Sequence, residues 1–303
     1  MRRIILGLTL IMVLFLAGCA GEDEGAQIAS VFQGGSQGVV ANFEPFGIQE
    51  GGIYEIYDTE SFPIEIIVKN KGEEDIAPGD LLIRLKGINL ADFENIPSDA
   101  KGNERMIEKI SEFNQAGGEE IIDFTPAAEA RYKHRITGYY QPDIFATIEY
   151  KYKTRAIVPK VCFKEDLTDT SVCEVKENKE VFVSGAPVIV RSVKEDMAGR
   201  GVIVLTFEIE NSGGGKVTKT GEEFDSRYGQ LGFNMKTDPG MWECRSAGRE
   251  NEARLIDGRA TVTCRLRTPL EAGTLYTKQM ELELSYVYQT VIQENIKIKE
   301  SLS

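Results

Sequence analysis

Apolar and polar residues alternate along much of this chain, and a period of two fits only an extended strand with one buried face. In Pro63-Ile64-Glu65-Ile66-Ile67-Val68-Lys69-Asn70, positions 64, 66 and 68 share a face. In Leu205-Thr206-Phe207-Glu208-Ile209-Glu210-Asn211, positions 205, 207 and 209 do the same. Both segments run into turns, Asn70-Lys71-Gly72 and Asn211-Ser212-Gly213-Gly214-Gly215, where Asn and Gly are expected to supply the positive φ of a reversal. Two more landmarks follow in the same order at nearly equal spacings. Ile121-Ile122-Asp123-Phe124-Thr125-Pro126 parallels Cys264-Arg265-Leu266-Arg267-Thr268-Pro269, and Ile148-Glu149-Tyr150-Lys151-Tyr152 parallels Leu284-Ser285-Tyr286-Val287-Tyr288. Collinear landmarks of this kind mark an internal duplication of an all-β unit. Short strands between Gly, Pro, Asn and Asp turns predict a β-sandwich in each copy.

The first copy is expected over residues 31–184, with an insertion near 90–120, and the second over 185–303; the boundary falls at Ser184-Gly185-Ala186-Pro187. Within the insertion, residues 103–116 read as either a short helix or an irregular crossover. The four tyrosines 150, 152, 286 and 288 share the phase of their apolar neighbours and are expected in the core with hydroxyls at its rim.

The hydrophobic strand ending in Val68-Lys69-Asn70-Lys71-Gly72, matched more loosely by Ile209-Glu210-Asn211-Ser212-Gly213, resembles the Ig-like repeats of prokaryotic cell-surface proteins, including the CARDB type of cell-adhesion-related domain. The resemblance implies two tandem Ig-like sandwiches used in adhesion, spacing or protein contact, without chemistry of their own.

At the N-terminus, Arg2 and Arg3 precede an apolar run over residues 4–17 that is short for a membrane span and reads as a signal peptide, residues 1–18. The run ends in Leu16-Ala17-Gly18-Cys19, which resembles the lipobox of prokaryotic lipoproteins; this implies cleavage before Cys19 and lipidation of its thiol. Residues 19–30, small and acidic, read as a flexible tether. Four cysteines then remain, and export permits disulfides. One bridge per copy is expected, Cys162 with Cys173 across a β-hairpin and Cys244 with Cys264.

The remaining chemistry is thin. One histidine in 303 residues, His134, excludes most Ser–His and Cys–His designs and every multi-histidine metal site. It sits in the basic-aromatic run Arg131-Tyr132-Lys133-His134-Arg135, expected on a solvated loop. A net charge of −13 excludes a nucleic-acid partner. Gly34-Gly35-Ser36-Gln37-Gly38 matches no phosphate-binding loop and reads as a turn. Acidic clusters at Glu73-Glu74-Asp75, at Glu165-Asp166 with Asp169, and at Glu222-Glu223 with Asp225 lack EF-hand spacing. Trp242 stands beside Cys244 and is expected against that bridge. No catalytic residue, metal or cofactor is expected. The expected role is a lipid-anchored module on the extracytoplasmic face, periplasmic or at the cell surface, contacting the membrane through Cys19 and a protein partner in the envelope. The alternative is an anchored binder of a small ligand or glycan, assisted by calcium.

Overall fold

The computed structural model describes residues 31–166, 168, 172–175, 177–225 and 227–301. The expected signal peptide, Cys19 and the expected tether lie outside them. Among the described residues, no helix is long and apolar enough to cross a membrane.

Strand dominates, with only two short 3-10 turns at Leu90–Asp92 and Pro239–Met241. The first copy contributes β1 (Val39–Phe43), β2 (Glu65–Asn70), β3 (Leu81–Lys86), β4 (Ala100–Gly102), β5 (Glu119–Asp123), the long β6 (Asp143–Lys164) and β7 (Phe182–Val183). The second contributes β8 (Val188–Met197), β9 (Ile203–Asn211), β10 (Lys216–Thr218), β11 (Gly229–Met235), β12 (Trp242–Ser246), β13 (Glu252–Leu255), β14 (Arg259–Leu266) and the long β15 (Leu275–Lys299). Shorter strands of two to five residues complete the sheets.

The register shows the duplication residue by residue. β1 pairs with β2 at Val39↔Asn70, and β8 with β9 at Val188↔Asn211. β3 pairs with β6 at Ile83↔Ile148, and β11 with β15 at Phe233↔Leu284. One correspondence differs from expectation. Ile122 lies opposite Ile66 and Val262 opposite Phe207, so Val262 rather than Arg265 is the counterpart of Ile122. The shared Thr-Pro that suggested the other alignment follows the strand and does not fix its register.

The two copies are joined through their last long strands. β6 and β15 pair antiparallel from Asp143↔Asn295 to Lys164↔Leu275. The register shifts once, between Val158 and Val161, where Pro159 has no N–H to give the ladder. At the middle of this ribbon Tyr150 faces Tyr288, Lys151 faces Val287 and Tyr152 faces Tyr286. Because Tyr150 corresponds to Tyr286 and Tyr152 to Tyr288, exchanging the copies maps the ribbon onto itself. A local twofold axis therefore passes through the Lys151–Val287 pair. Phe32–Ser303 forms one compact unit. The seam at residues 184–187 is packed: Ser184, Ala186 and the ring of Tyr152 beside them are buried. Ser184 N–H donates to Arg155 O (2.9 Å) and Ala186 N–H to Gly35 O (3.2 Å).

At the axis the four tyrosines form a closed ring of contacts, with neighbouring centroids 5.6, 5.7, 6.3 and 6.4 Å apart. All are at most 2% exposed, so their hydroxyls are enclosed and not at the rim. Each enclosed hydroxyl must find partners or carry a desolvation cost. Tyr152 Oη donates to Asn70 Oδ1 (3.3 Å) and accepts from Glu74 N (3.2 Å). Its counterpart Tyr288 Oη donates to Asn211 Oδ1 (3.0 Å) and accepts from Gly215 N (2.7 Å). Each Asn closes its own turn as well, donating from Nδ2 to the carbonyl four residues on, at 2.7 Å in both copies.

The glycines of these turns are needed for space and not for φ. Neither Asn70, Gly72, Asn211 nor Gly213 has positive φ; only Gly214 does, at 76°. A Cβ on Gly72 would come within 2.1 Å of Tyr152 Oη, and one on Gly213 within 2.5 Å of Tyr288 Oη. Residues 103–116 form an irregular crossover held by the Ile76↔Ile107 bridge, without a helix. Ile107 is buried, whereas Phe113 is 99% exposed.

The repeated clamp yields a paired prediction. Tyr152→Phe strands the Glu74 amide and Tyr288→Phe the Gly215 amide, each at a cost of about 1–3 kcal/mol. Equilibrium urea unfolding should show similar losses from the two variants; a loss confined to one copy would contradict the equivalence.

Candidate functional site

The four cysteines of the body are bonded, Cys162 to Cys173 and Cys244 to Cys264. Cys244 and Cys264 sit directly opposite in neighbouring strands β12 and β14. Cys162 lies in β6, but Cys173 lies in no strand, so the expected hairpin is absent. At Cys162, β6 pairs with β15 opposite Thr277, and the Cys162 N–H is held by the Glu195 carboxylate instead. Trp242 packs edge to face on Phe163 at 6.1 Å, and Phe163 stacks on Tyr276 at 5.0 Å. Its buried indole N–H has no acceptor among the described residues.

His134 is exposed, as expected for its loop, and its Nε2 lies 3.2 Å from Asp92 Oδ1. The acidic clusters serve as internal acceptors. The Glu73 carboxylate accepts from Gln33 N (2.9 Å), Gly34 N (2.9 Å) and Gly185 N (2.6 Å), tying the glycine-rich turn to the seam. Asp75 accepts from Lys109 N (2.8 Å), Glu165 pairs with Arg200, and Asp225 pairs with Arg227 at 2.8 Å. Asp169 lies outside the described residues. Among the described residues, no group of His, Cys, Asp and Glu has the geometry to hold a metal ion.

The copies differ at one place that carries a concave surface. In the second, β10 pairs onto β15 through Lys216↔Gln289, Val217↔Tyr288 and Thr218↔Val287. The corresponding residues of the first copy are 75–77. Ile76, the counterpart of Val217, is buried like it, but its backbone pairs both ways with Ile107 (3.1 and 3.0 Å) instead of with β6. The cause is local. Ala77-Pro78-Gly79-Asp80 forms a turn, closed by Asp80 N–H on Ala77 O (3.0 Å), with Gly79 at φ +79°. Pro78 cannot donate to a ladder, so the segment turns away where Lys216-Val217-Thr218 runs straight.

The edge of β6 is left uncovered there. β3 pairs with it from Phe145 to Tyr150 and β7 at Ala156 and Ile157; among the described residues, no strand covers 151–153. Lys151 N–H donates outward to Asp80 O (3.0 Å), and Arg155 exchanges outward bonds with Ser184 (2.9 Å each). By the alternation of an antiparallel strand, Lys153 turns its N–H and C=O to the same side. A cleft of about 300 Å³ reaches from Glu74, Asp75 and Asp80 beside this edge, across Lys151 and Lys153, to Ser285 of β15 and Thr220. Lys151 Nζ is 2.6 Å from Asp80 Oδ1, and Lys153 Nζ 3.9 Å from Glu74 Oε1. Arg155 also holds Glu74, at 3.1 Å. Burial keeps the Glu74 carboxyl above its ordinary range despite these cations.

Comparison with known proteins finds no matching family model, no matching curated protein and no matching solved structure. The site therefore rests on its own geometry. Two parts of it had different visibility in the sequence. Glu74 and Asp75 were in view as part of an acidic cluster, whereas Asp80, Lys151 and Lys153 were not singled out, and Pro78-Gly79 was an unread signal that the first copy loses a strand.

A second polar centre lies at the Cys162–Cys173 end. Glu195, wholly buried, stands in core phase on β8. Its carboxylate accepts from Cys162 N (2.9 and 3.2 Å) and pairs with Lys179 at 2.8 Å; Lys179 also pairs with Glu177. Burial outweighs these partners and pushes the Glu195 pKa up to about 7. Nearby, Lys164 Nζ donates to Cys173 O (2.6 Å).

Two measurements follow. The folded chain keeps its Glu195 proton after the unfolded chain has released one, so Glu195 favours folding below pH ~4.5 and loses that contribution as pH rises to about 7. Urea midpoints across this window should fall for the wild type and fall less for Glu195→Gln; parallel curves would contradict the buried carboxyl. Glu74, also raised by burial, acts in the same direction and remains in both proteins. Separately, the Cys244–Cys264 bridge closes a loop over a separation of 20 residues. The Cys244→Ser/Cys264→Ser pair should lower stability by about 3 kcal/mol, read by the same titration.

Proposed function

We propose that this protein is a non-catalytic lipoprotein of a prokaryotic cell envelope. Cys19 holds it to the extracytoplasmic face of the membrane, and two Ig-like sandwiches serve adhesion or protein contact. The observation that carries the proposal is the use of cysteine. Of five, four are bonded in pairs, and the one left over is Cys19, at the end of Leu16-Ala17-Gly18-Cys19. Paired cysteines fit an oxidising compartment outside the cytoplasm. A lone cysteine behind Arg2-Arg3 and the apolar run of residues 4–17 fits the acceptor of a lipid.

The resemblance of Val68-Lys69-Asn70-Lys71-Gly72 to CARDB-type repeats supports the adhesion or contact role. So does the rigid arrangement of the two copies about one ribbon, which suits holding a surface in fixed relation to an anchor. In this reading the β6–β15 ribbon is shared between the sandwiches.

Expression in a lipoprotein-processing host with an alkyne fatty acid tests the proposal. The wild-type chain should take up the label and begin at Cys19, while Cys19→Ser should stay unlabelled and retain residues 1–18. An unlabelled wild type, or a labelled Cys19→Ser chain, would overturn it.

A further inference from the structure

We propose that the uncovered edge of β6 at residues 151–153 is a strand-addition site. Its occupant is an extended segment of a partner protein, built of small uncharged residues. The inference rests on the contact role proposed above and names where that contact is made.

The molecule itself supplies the precedent. On the twofold-related edge, β10 occupies the equivalent place on β15, bonding opposite Val287 and Gln289. The first copy has no strand there, because Ala77-Pro78-Gly79-Asp80 turns its chain away. What remains is the polar edge of a strand: the N–H and C=O of Lys153 and the C=O of Lys151, the Lys151 N–H being held by Asp80. An edge of this kind is satisfied by one more strand, and main-chain bonds then supply affinity while the flanking side chains select the sequence.

Three observations set the chemistry of the occupant. The cleft of about 300 Å³ has room for only a few small residues. Ile76, which corresponds to Val217 of the second copy, is already buried in the core of the first. The residue opposite Tyr152 must therefore be small, glycine, alanine or serine. Finally, the charges around the cleft are satisfied among themselves, Lys151 by Asp80 and Lys153 by Glu74. A charged occupant would break one of these pairs or face a like charge across the strands. Uncharged threonine or serine opposite Lys151 and Lys153 leaves both pairs intact.

The test uses amide hydrogen exchange on the full isotope-labelled chain in detergent micelles, with the peptide acetyl-Gly-Thr-Ala-Thr-Gly-amide as probe. In the free chain the Lys153 amide should exchange much faster than those of Tyr152 and Thr154, which face β15. Millimolar peptide should slow the Lys153 amide at least tenfold and leave Tyr152 and Thr154 unchanged. A peptide N-methylated at both threonines should need about thirtyfold more for the same effect, the expected weakening for two lost hydrogen bonds, to the C=O of Lys153 and the C=O of Lys151. Its counterpart with lysine at both threonines should also bind more weakly. Ala77→Trp, placed at an exposed position on the cleft wall, should abolish the protection without changing the melting temperature.

A Lys153 amide already protected in the free chain would overturn the proposal. So would equal binding of the N-methylated peptide, or protection that survives Ala77→Trp. Protection that grows with protein concentration and without peptide would assign the edge to a second copy and likewise overturn it. Lipidation of Cys19 is not read by this experiment, so the anchor and the strand-addition site fail independently.

Discussion

The rest of the structure depends on how four buried tyrosine hydroxyls are satisfied. The β6–β15 ribbon brings Tyr150, Tyr152, Tyr286 and Tyr288 together at its centre, where water is excluded. Burial, above all, raises the pKa of every one of them, so each stays a neutral phenol able to donate and accept. Tyr152 and Tyr288 use both functions on the Asn turns of their own copies. Tyr286 accepts from Val188 N (3.4 Å) and meets Thr154 Oγ1 (2.9 Å). Thr154 has one proton and gives it to Val188 O (2.6 Å), so the phenol is the donor to Thr154. The same side chains thus fill the core, close the turns of both copies and hold the first strand of the second.

The sequence made part of this readable. Period-two alternation located strands β2 and β9, and the landmarks Asn70, Asn211 and the two Tyr-x-Tyr pairs proved to be the bonded elements of the clamp. These were legible because one residue type in one phase had one physical use. The joining of the copies was not legible. Alternation tells which face of a strand is buried and is silent about its neighbour, so nothing in 148–152 or 284–288 announced that the two segments pair with each other. The Thr-Pro match misled by three residues for a related reason, since it lies past the strand and no cross-strand partner constrains it.

The candidate site was less legible still. Glu74 and Asp75 were visible within the acidic cluster Glu73-Glu74-Asp75 and Asp80 was not singled out, and the meaning of all three depends on Ile76 having left β6 for Ile107. That choice is made by Pro78 and Gly79, two residues whose effect is felt by backbone atoms on a strand more than seventy positions away in sequence. Glu195 shows the opposite limit. Its core phase on β8 could be counted from Val193, but its partners Lys179 and Cys162 N come from other parts of the chain. Gly72 and Gly213 belong between these cases: their identity was apparent, but the requirement is room for a tyrosine hydroxyl and not an unusual φ.

The ribbon has a mechanical consequence. Because β6 and β15 run antiparallel through a long register with a single shift, a force that drags one copy past the other along the strand axis loads many rungs at once, in shear. Force applied across the strands at one end would instead open them one after another, as a zipper. A body built on such a ribbon is thus stiff in one pulling direction and weak in the other. The Pro159 irregularity, lying away from the tyrosine ring, interrupts the rungs on the Cys162 side and leaves the central run intact.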